Sequence, residues 1–156
     1  MQAVRGAALR LRPSLLDDLG LLAAIRSLTK QVTGQEGVEV FVSAESLGER
    51  LDPEVETVAY RIVQEAVANA CRHSGASAAY VRVAREPDAL IVSVRDEGRG
   101  FDVGSARYRA EEAGHFGLSA MEERANALHG TCQVRSAPGL GTEVLARIPL
   151  SRPPVR

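Results

Sequence analysis

Residues 79–96 read AYVRVAREPDALIVSVRD. Ala79, Val81 and Val83 alternate with Tyr80 and Arg82, Leu90, Val92 and Val94 alternate with Ile91 and Ser93, and Glu86-Pro87-Asp88 stands between the two runs. Period-two alternation on both sides of a turn predicts an antiparallel hairpin. A second pair of strands, Thr131 to Ser136 and Thr142 to Leu150, is joined by the turn Ala137-Pro138-Gly139-Leu140-Gly141. Upstream, Val38, Val40 and Val42 alternate with Glu39, Phe41 and Ser43, as a strand does. Helical spacing fills the intervals. Leu21, Leu22, Ile25, Leu28 and Val32 form an apolar stripe after Pro13, with Gly34 and Gly37 as punctuation. Asp52-Pro53 supplies an N-cap and a proline at the first helical position, opening a long helix to about His73 that Ser74-Gly75 closes. Leu118, Met121, Ala125 and Leu128 predict another helix, ended by Gly130. Strands delivered in hairpins argue against a doubly wound parallel sheet. They predict an α+β, two-layer sandwich, with a mixed, mostly antiparallel sheet covered by helices.

The chain has 156 residues, 45% hydrophobic and 25% charged, enough for one domain with its own core and no need of disulfides or a structural metal. With 4% aromatics and no Trp, that core must be aliphatic. We expect a lead-in over 1–32, the main domain over 33–150 and a frayed tail over 151–156. Nineteen Lys plus Arg against 20 Asp plus Glu give no electrostatic footprint for duplex nucleic acid or an anionic membrane. Cys71 and Cys132 lack metal-ligand spacing and read as buried thiols. Neither a membrane-length apolar run nor a signal-peptide pattern is present, which predicts a soluble, cytoplasmic chain.

Four short stretches carry candidate chemistry. On the long helix, Asn69 projects inside the apolar arc of Val55, Val58, Ala59, Ile62, Val63, Ala66 and Ala70, with Glu65 at its edge and Arg72 and His73 on the next turn. Amide and carboxylate oxygens suit Mg²⁺, and arginine suits phosphate oxygens. The alternative is that Asn69 caps a core backbone group and Glu65 pairs with an arginine. Asp96-Glu97-Gly98-Arg99-Gly100-Phe101 follows a strand end, where a fixed carboxylate can accept from an exocyclic amine and glycines let backbone approach a flat ring. It is otherwise a surface turn; a dinucleotide fingerprint fails because no amphipathic helix follows the glycines at once. Gly114-His115-Phe116-Gly117-Leu118 ends the long Asp96 to Phe116 loop and opens a helix, whose amides can receive a phosphate. Gly139-Leu140-Gly141-Thr142 is a hairpin turn in which Thr142 can face a ligand. No Walker-type phosphate loop and no nucleophile triad can be assembled.

In order, ETVAYRIVQEAVANACRHS, DEGRGFD, GHFGLSAMEERA and GLGTEV resemble the N, G1, G2 and G3 boxes of histidine-kinase-type ATPase domains. QEAVAN, GHFGLSAMEERA and LRPSLLDDLGLLAAI are similar to the nitrate-sensor and DesK-like subfamily of bacterial sensor histidine kinases, over about Leu11 to Leu150. The resemblance implies the Bergerat fold, with ATP and Mg²⁺ between the helical layer and a mobile lid. By position, Asn69 resembles the Mg²⁺ ligand, Glu65 the carboxylate that orients or deprotonates the attacking group, and Asp96 the adenine reader. Gly98, Gly100 and Phe101 would shape the adenine pocket and Thr142 support its hydrogen bonds. Gly117 and Leu118 would anchor the lid and phosphate site, with Arg72, His73 and His115 also at the nucleotide. Arg72 departs from the lysine more often found there.

The implied function is that of a protein-histidine kinase, transferring the ATP γ-phosphoryl to a histidine on a separate dimerisation segment, with a response regulator downstream. In that family the phosphoacceptor lies ahead of the LRP segment, where this chain has none. His73, His115 and His129 are all elsewhere, so the isolated domain is expected to be monomeric and to bind ATP without phosphorylating itself. Two other readings share the boxes. An anti-sigma-factor-type protein-serine kinase is opposed by the LRPSLLDDLGLL lead-in, and a nucleotide-binding regulatory module without transfer activity by the presence of Glu65 and Asn69.

Overall fold

The computed structural model describes residues 13–45, 47–105 and 117–150. Five strands form one sheet, β1 (Glu39–Glu45), β2 (Ala78–Arg85), β3 (Ala89–Asp96), β4 (Thr131–Ser136) and β5 (Thr142–Pro149), in the order β1-β2-β3-β5-β4. Only the β1/β2 pairing is parallel; the other three are antiparallel. A parallel pair needs a long crossover, and α3 (Pro53–Asn69) supplies it. The expected α+β sandwich is the architecture found.

The lead-in forms two helices instead of the single one expected, α1 (Ser14–Leu19) and α2 (Leu21–Glu36), because Gly20 adopts φ 91° between them. Gly34 lies inside α2, not at its end, and the helix stops at Gly37, whose φ of 72° gives a left-handed cap. A Cβ at Gly34 would touch nothing, so nothing there competes with the helix, and its cost is only the general glycine penalty of about 1 kcal/mol. α3 opens as expected, with Asp52 Oδ1 accepting from the Glu54 amide at 2.9 Å ahead of Pro53. It does not stay α-helical to His73: residues Ala70–Ser74 form a π-helical turn, closed by Gly75. Within that turn the Ser74 hydroxyl donates to the Ala70 carbonyl at 2.5 Å. The last helix, α4 (Leu118–Ala127), ends with His129 in the left-handed region at φ 63°, one residue before Gly130.

Helices α1 to α4 all contribute to one apolar core, in which Leu16, Ile25, Ile62, Leu90, Met121 and Ile148 are fully buried. Each such side chain stabilises the fold by about 1.5–3 kcal/mol. The sheet face turned away from the core carries Phe41 stacked on Tyr80 at 5.5 Å, Arg95 over the Tyr80 ring, and an Arg82–Glu45 ion pair. Among the described residues no helix is long and apolar enough to cross a membrane.

One polar clamp fastens the lead-in to α3. Glu56 is 1% exposed, and Arg50 binds it in bidentate fashion, Nε to Oε2 at 3.0 Å and an Nη to Oε1 at 2.9 Å. The same guanidinium donates to the carbonyls of Leu16 and Asp17, near the end of α1. Removing one partner of such a pair strands a charge in a poorly solvated place. Arg50→Ala should therefore lower the melting temperature and selectively deprotect amides 16–20 in hydrogen exchange, leaving α4 protected. Uniform protection in the variant would show that α1 is held by its leucines alone.

Candidate functional site

The C-terminal half of α3 and the π turn line one wall of a cleft with Ala66, Asn69, Ala70 and His73, at helical spacing. The sheet supplies the floor. Val94, Val134 and Val144 make it apolar, while Asp96 and Thr142, paired across β3 and β5, set two polar groups in it. Ser74 of the π turn, Gly100 and Phe101 from the loop after β3, and Leu118 from the start of α4 complete the described lining. An apolar slot with a few convergent polar groups is the ordinary build of a small-molecule site. The described walls leave a cavity of about 20 Å³.

Asp96 is the charged group on the floor. It is 6% exposed, and Oδ1 accepts from the Gly98 amide at 2.9 Å. Burial raises its pKa above the ordinary carboxylate value, and the Gly98 and Thr142 amides oppose that shift. A buried carboxylate held by two amides keeps unused lone pairs for a ligand donor.

The loop after Asp96 is pinned from several sides. The Arg99 amide donates to the Ser74 carbonyl at 2.7 Å, and the Gly139 amide donates to the Arg99 carbonyl at 2.6 Å. Gly98 packs against Ser74 of the π turn, and Gly100, at φ 64°, packs against the Ala137 carbonyl so closely that neither has room for a Cβ. The Phe101 amide donates to Ser136 Oγ at 2.9 Å.

Among the expected site residues, Asn69, His73, Asp96, Gly100, Phe101, Leu118 and Thr142 all line the cleft. Asn69 contributes a buried amide oxygen, Oδ1. Glu65 lies beside the cleft, one turn before Asn69, against Gly117: a Cβ on Gly117 would collide with the Glu65 carboxylate. Gly117 takes φ 58° as the N-cap of α4, so this glycine lets the start of α4 rest on the carboxylate. Arg72 points elsewhere; it is exposed, and its Nε donates to the Ala68 carbonyl at 3.3 Å. His115 lies outside the described residues, as do 106–114 of the expected lid.

Ser74 and Ser136 were not expected at the site. A lone serine at a helix or strand end carries no periodic signal, and only the pairing of Ser136 with Thr142 across β4 and β5 reveals its position. Among the described residues no three His, Cys, Asp or Glu side chains cluster to hold a metal.

The sequence profile of the "Histidine kinase-, DNA gyrase B-, and HSP90-like ATPase" family matches residues 54–152. The chain belongs to that family. Membership implies ATP binding for this ATPase domain, and it is the family to which the four boxes point. The signal transduction histidine-protein kinase/phosphatase DegS of Bacillus subtilis is 36% identical over 143 residues, 90% of this chain and 37% of DegS. The oxygen sensor histidine kinase NreB of Staphylococcus carnosus is 37% identical over 148 residues, 95% of this chain and 42% of NreB. The ATPase domain thus spans about two fifths of these relatives' length. Among solved structures, a blue-light activated histidine kinase of Erythrobacter litoralis shares the fold, with a TM-score of 0.63 at 24% identity over 83% of this chain and 41% of its own.

Proposed function

We propose that this chain is the ATP-binding catalytic domain of a bacterial sensor histidine kinase, passing the ATP γ-phosphoryl to a histidine on a separate dimerisation segment, with a response regulator as the later acceptor. The observation that carries the reading is the single cleft holding Asp96, Asn69, His73 and Thr142 over an apolar floor. In this reading the adenine lies on Val94, Val134 and Val144 and gives its exocyclic amine to Asp96. The phosphates run toward Asn69, His73 and the N-terminus of α4, where amides can receive them. Arg72 reaches the phosphates only by leaving its contact with Ala68.

Mg²⁺ fits the donor chemistry of that end of the cleft, because one neutral amide oxygen, Asn69 Oδ1, suits an ion that takes few protein ligands and completes its shell with phosphate and water. When bound it would neutralise charge developing on the β- and γ-phosphates. Glu65, resting under Gly117 one turn before Asn69, orients or deprotonates the attacking imidazole. Residues 14–36 act as part of the catalytic domain instead of a loose linker, since Leu16, Leu21 and Ile25 belong to its core. The relationship to DegS and NreB also runs beyond the family profile, over 90–95% of this chain, which favours a sensor kinase over a serine kinase of the anti-sigma type. A cytoplasmic location fits such a domain.

Titration calorimetry with MgATP tests the reading at its first step. The wild-type domain should bind ATP with one-to-one stoichiometry, and binding should protect the start of α4 from hydrogen exchange. No heat and no protection with any adenine nucleotide would remove the proposal.

A further inference from the structure

Three elements meet at one hydroxyl. Ser136 Oγ, at the end of β4, accepts from the Phe101 amide at 2.9 Å, donates to the Gly141 carbonyl at 2.8 Å, and lies 2.9 Å from Thr142 Oγ1. A serine hydroxyl has one proton and two lone pairs. In the arrangement that satisfies every one of these groups, the Ser136 proton goes to Gly141, whose carbonyl can only accept, and the Phe101 amide takes one lone pair. Only the second lone pair remains for Thr142. In that arrangement the Thr142 hydroxyl is the donor in the contact, with its proton turned toward Ser136. What Thr142 Oγ1 then offers the cleft it lines is a lone pair, beside the carboxylate of Asp96, its partner across the sheet.

We propose that Ser136 is a specificity-determining positioning residue: it fixes the Thr142 proton so that Thr142 and Asp96 face the nucleobase as two acceptors, favouring a 6-aminopurine over a 6-oxopurine. This rests on the nucleotide reading above. A 6-amino group brings two protons, one for each acceptor. A 6-oxo group would set a third lone-pair oxygen where the amino donor should be, and the proton of a 6-oxopurine, on ring N1, is displaced from that position. Without Ser136 the Thr142 hydroxyl is free to rotate and can donate to the oxo oxygen.

Calorimetry with MgATP and MgITP on the wild type, Ser136→Ala, Ser136→Thr and Thr142→Val tests this, carried out at neutral pH. The wild type should prefer ATP by about tenfold or more, the scale of one buried acceptor left unpaired. Ser136→Ala should bring the ITP-to-ATP ratio of dissociation constants toward one, and Ser136→Thr, which keeps the hydroxyl, should restore it. Thr142→Val, which leaves the two other Ser136 bonds in place, should also lower the ratio, to the part that Asp96 alone sets. Equal weakening of both nucleotides in Ser136→Ala, or a wild-type ratio in Thr142→Val, would reduce Ser136 to a structural tie and overturn the proposal. A wild type that binds ATP and ITP alike would overturn it too. A wild type that binds neither would instead count against the nucleotide reading itself.

Discussion

Phosphoryl transfer to a separately supplied, histidine-bearing dimerisation segment should fall below detection in Asn69→Ala and by about 10²–10⁴-fold in Glu65→Gln, the usual contribution of a positioned proton acceptor. The two variants should part company in binding. Asn69 supplies a buried amide oxygen to the cleft; in the proposed function it holds the metal, and its loss would loosen that ion and with it the in-line placement of the γ-phosphoryl. Glu65 sits under Gly117 beside the cleft, and glutamine keeps its shape, so that contact and the nucleotide site survive the change. Single-turnover transfer rates and calorimetric ATP affinities, measured on both variants, separate the roles. A Glu65→Gln domain that transfers at the wild-type rate would take Glu65 out of the chemistry.

Asp96→Asn should weaken ATP binding about 10- to 100-fold, since a hydrogen bond to a charged acceptor contributes about 1.5–3 kcal/mol. The same substitution should leave the free domain at least as heat-stable as the wild type. Burial holds the Asp96 carboxyl above its ordinary pKa of 3.8, so the folded state keeps this proton to a higher pH than the unfolded chain does. The protonated form's contribution to stability is fully present below 3.8 and is lost as pH rises through the raised folded value. At neutral pH the ionised group therefore costs stability, and asparagine removes that cost while its amide oxygen can still accept from Gly98. Melting temperatures of the two proteins should converge as pH falls toward 3.8. A destabilised Asp96→Asn at neutral pH would mean that its amide hydrogen bonds outweigh its desolvation. ATP affinity in the wild type should drop on acidification, as Asp96 takes up its proton.

The hairpin at 79–96 was legible because both strands bury one face only: Val81, Val83, Val92 and Val94 point into the core, and Tyr80, Arg82 and Arg95 do not. The site was legible where several residues of one box share a helix face, as Asn69 and His73 do. Local punctuation misled. Gly34 looks like a stop but faces open space within α2, whereas Gly20, which does interrupt the lead-in, sits between Leu19 and Leu21 in a leucine-rich stretch. The π turn after Asn69 has no sequence period of its own; Ser74, bonded to Ala70 and to the loop after β3, accompanies it. Arg72, in the same box, lies on the π turn, exposed and bonded to the Ala68 carbonyl, and spacing alone does not register that the helix widens there. Ser136 escaped notice because its partners, Phe101 and Gly141, are brought to it only when the sheet assembles.

In the proposed function this cleft serves a histidine carried on another segment. Incubation of the domain with γ-labelled ATP, alone and mixed with a family dimerisation segment bearing its phosphoacceptor histidine, tests it most directly. The expected result is no acid-labile label on the domain alone and acid-labile label on the segment's histidine in the mixture, absent with Asn69→Ala. Label on His73, His115 or His129 of the isolated domain, or acid-stable label on a serine of a separate small protein with none on the histidine segment, would contradict it.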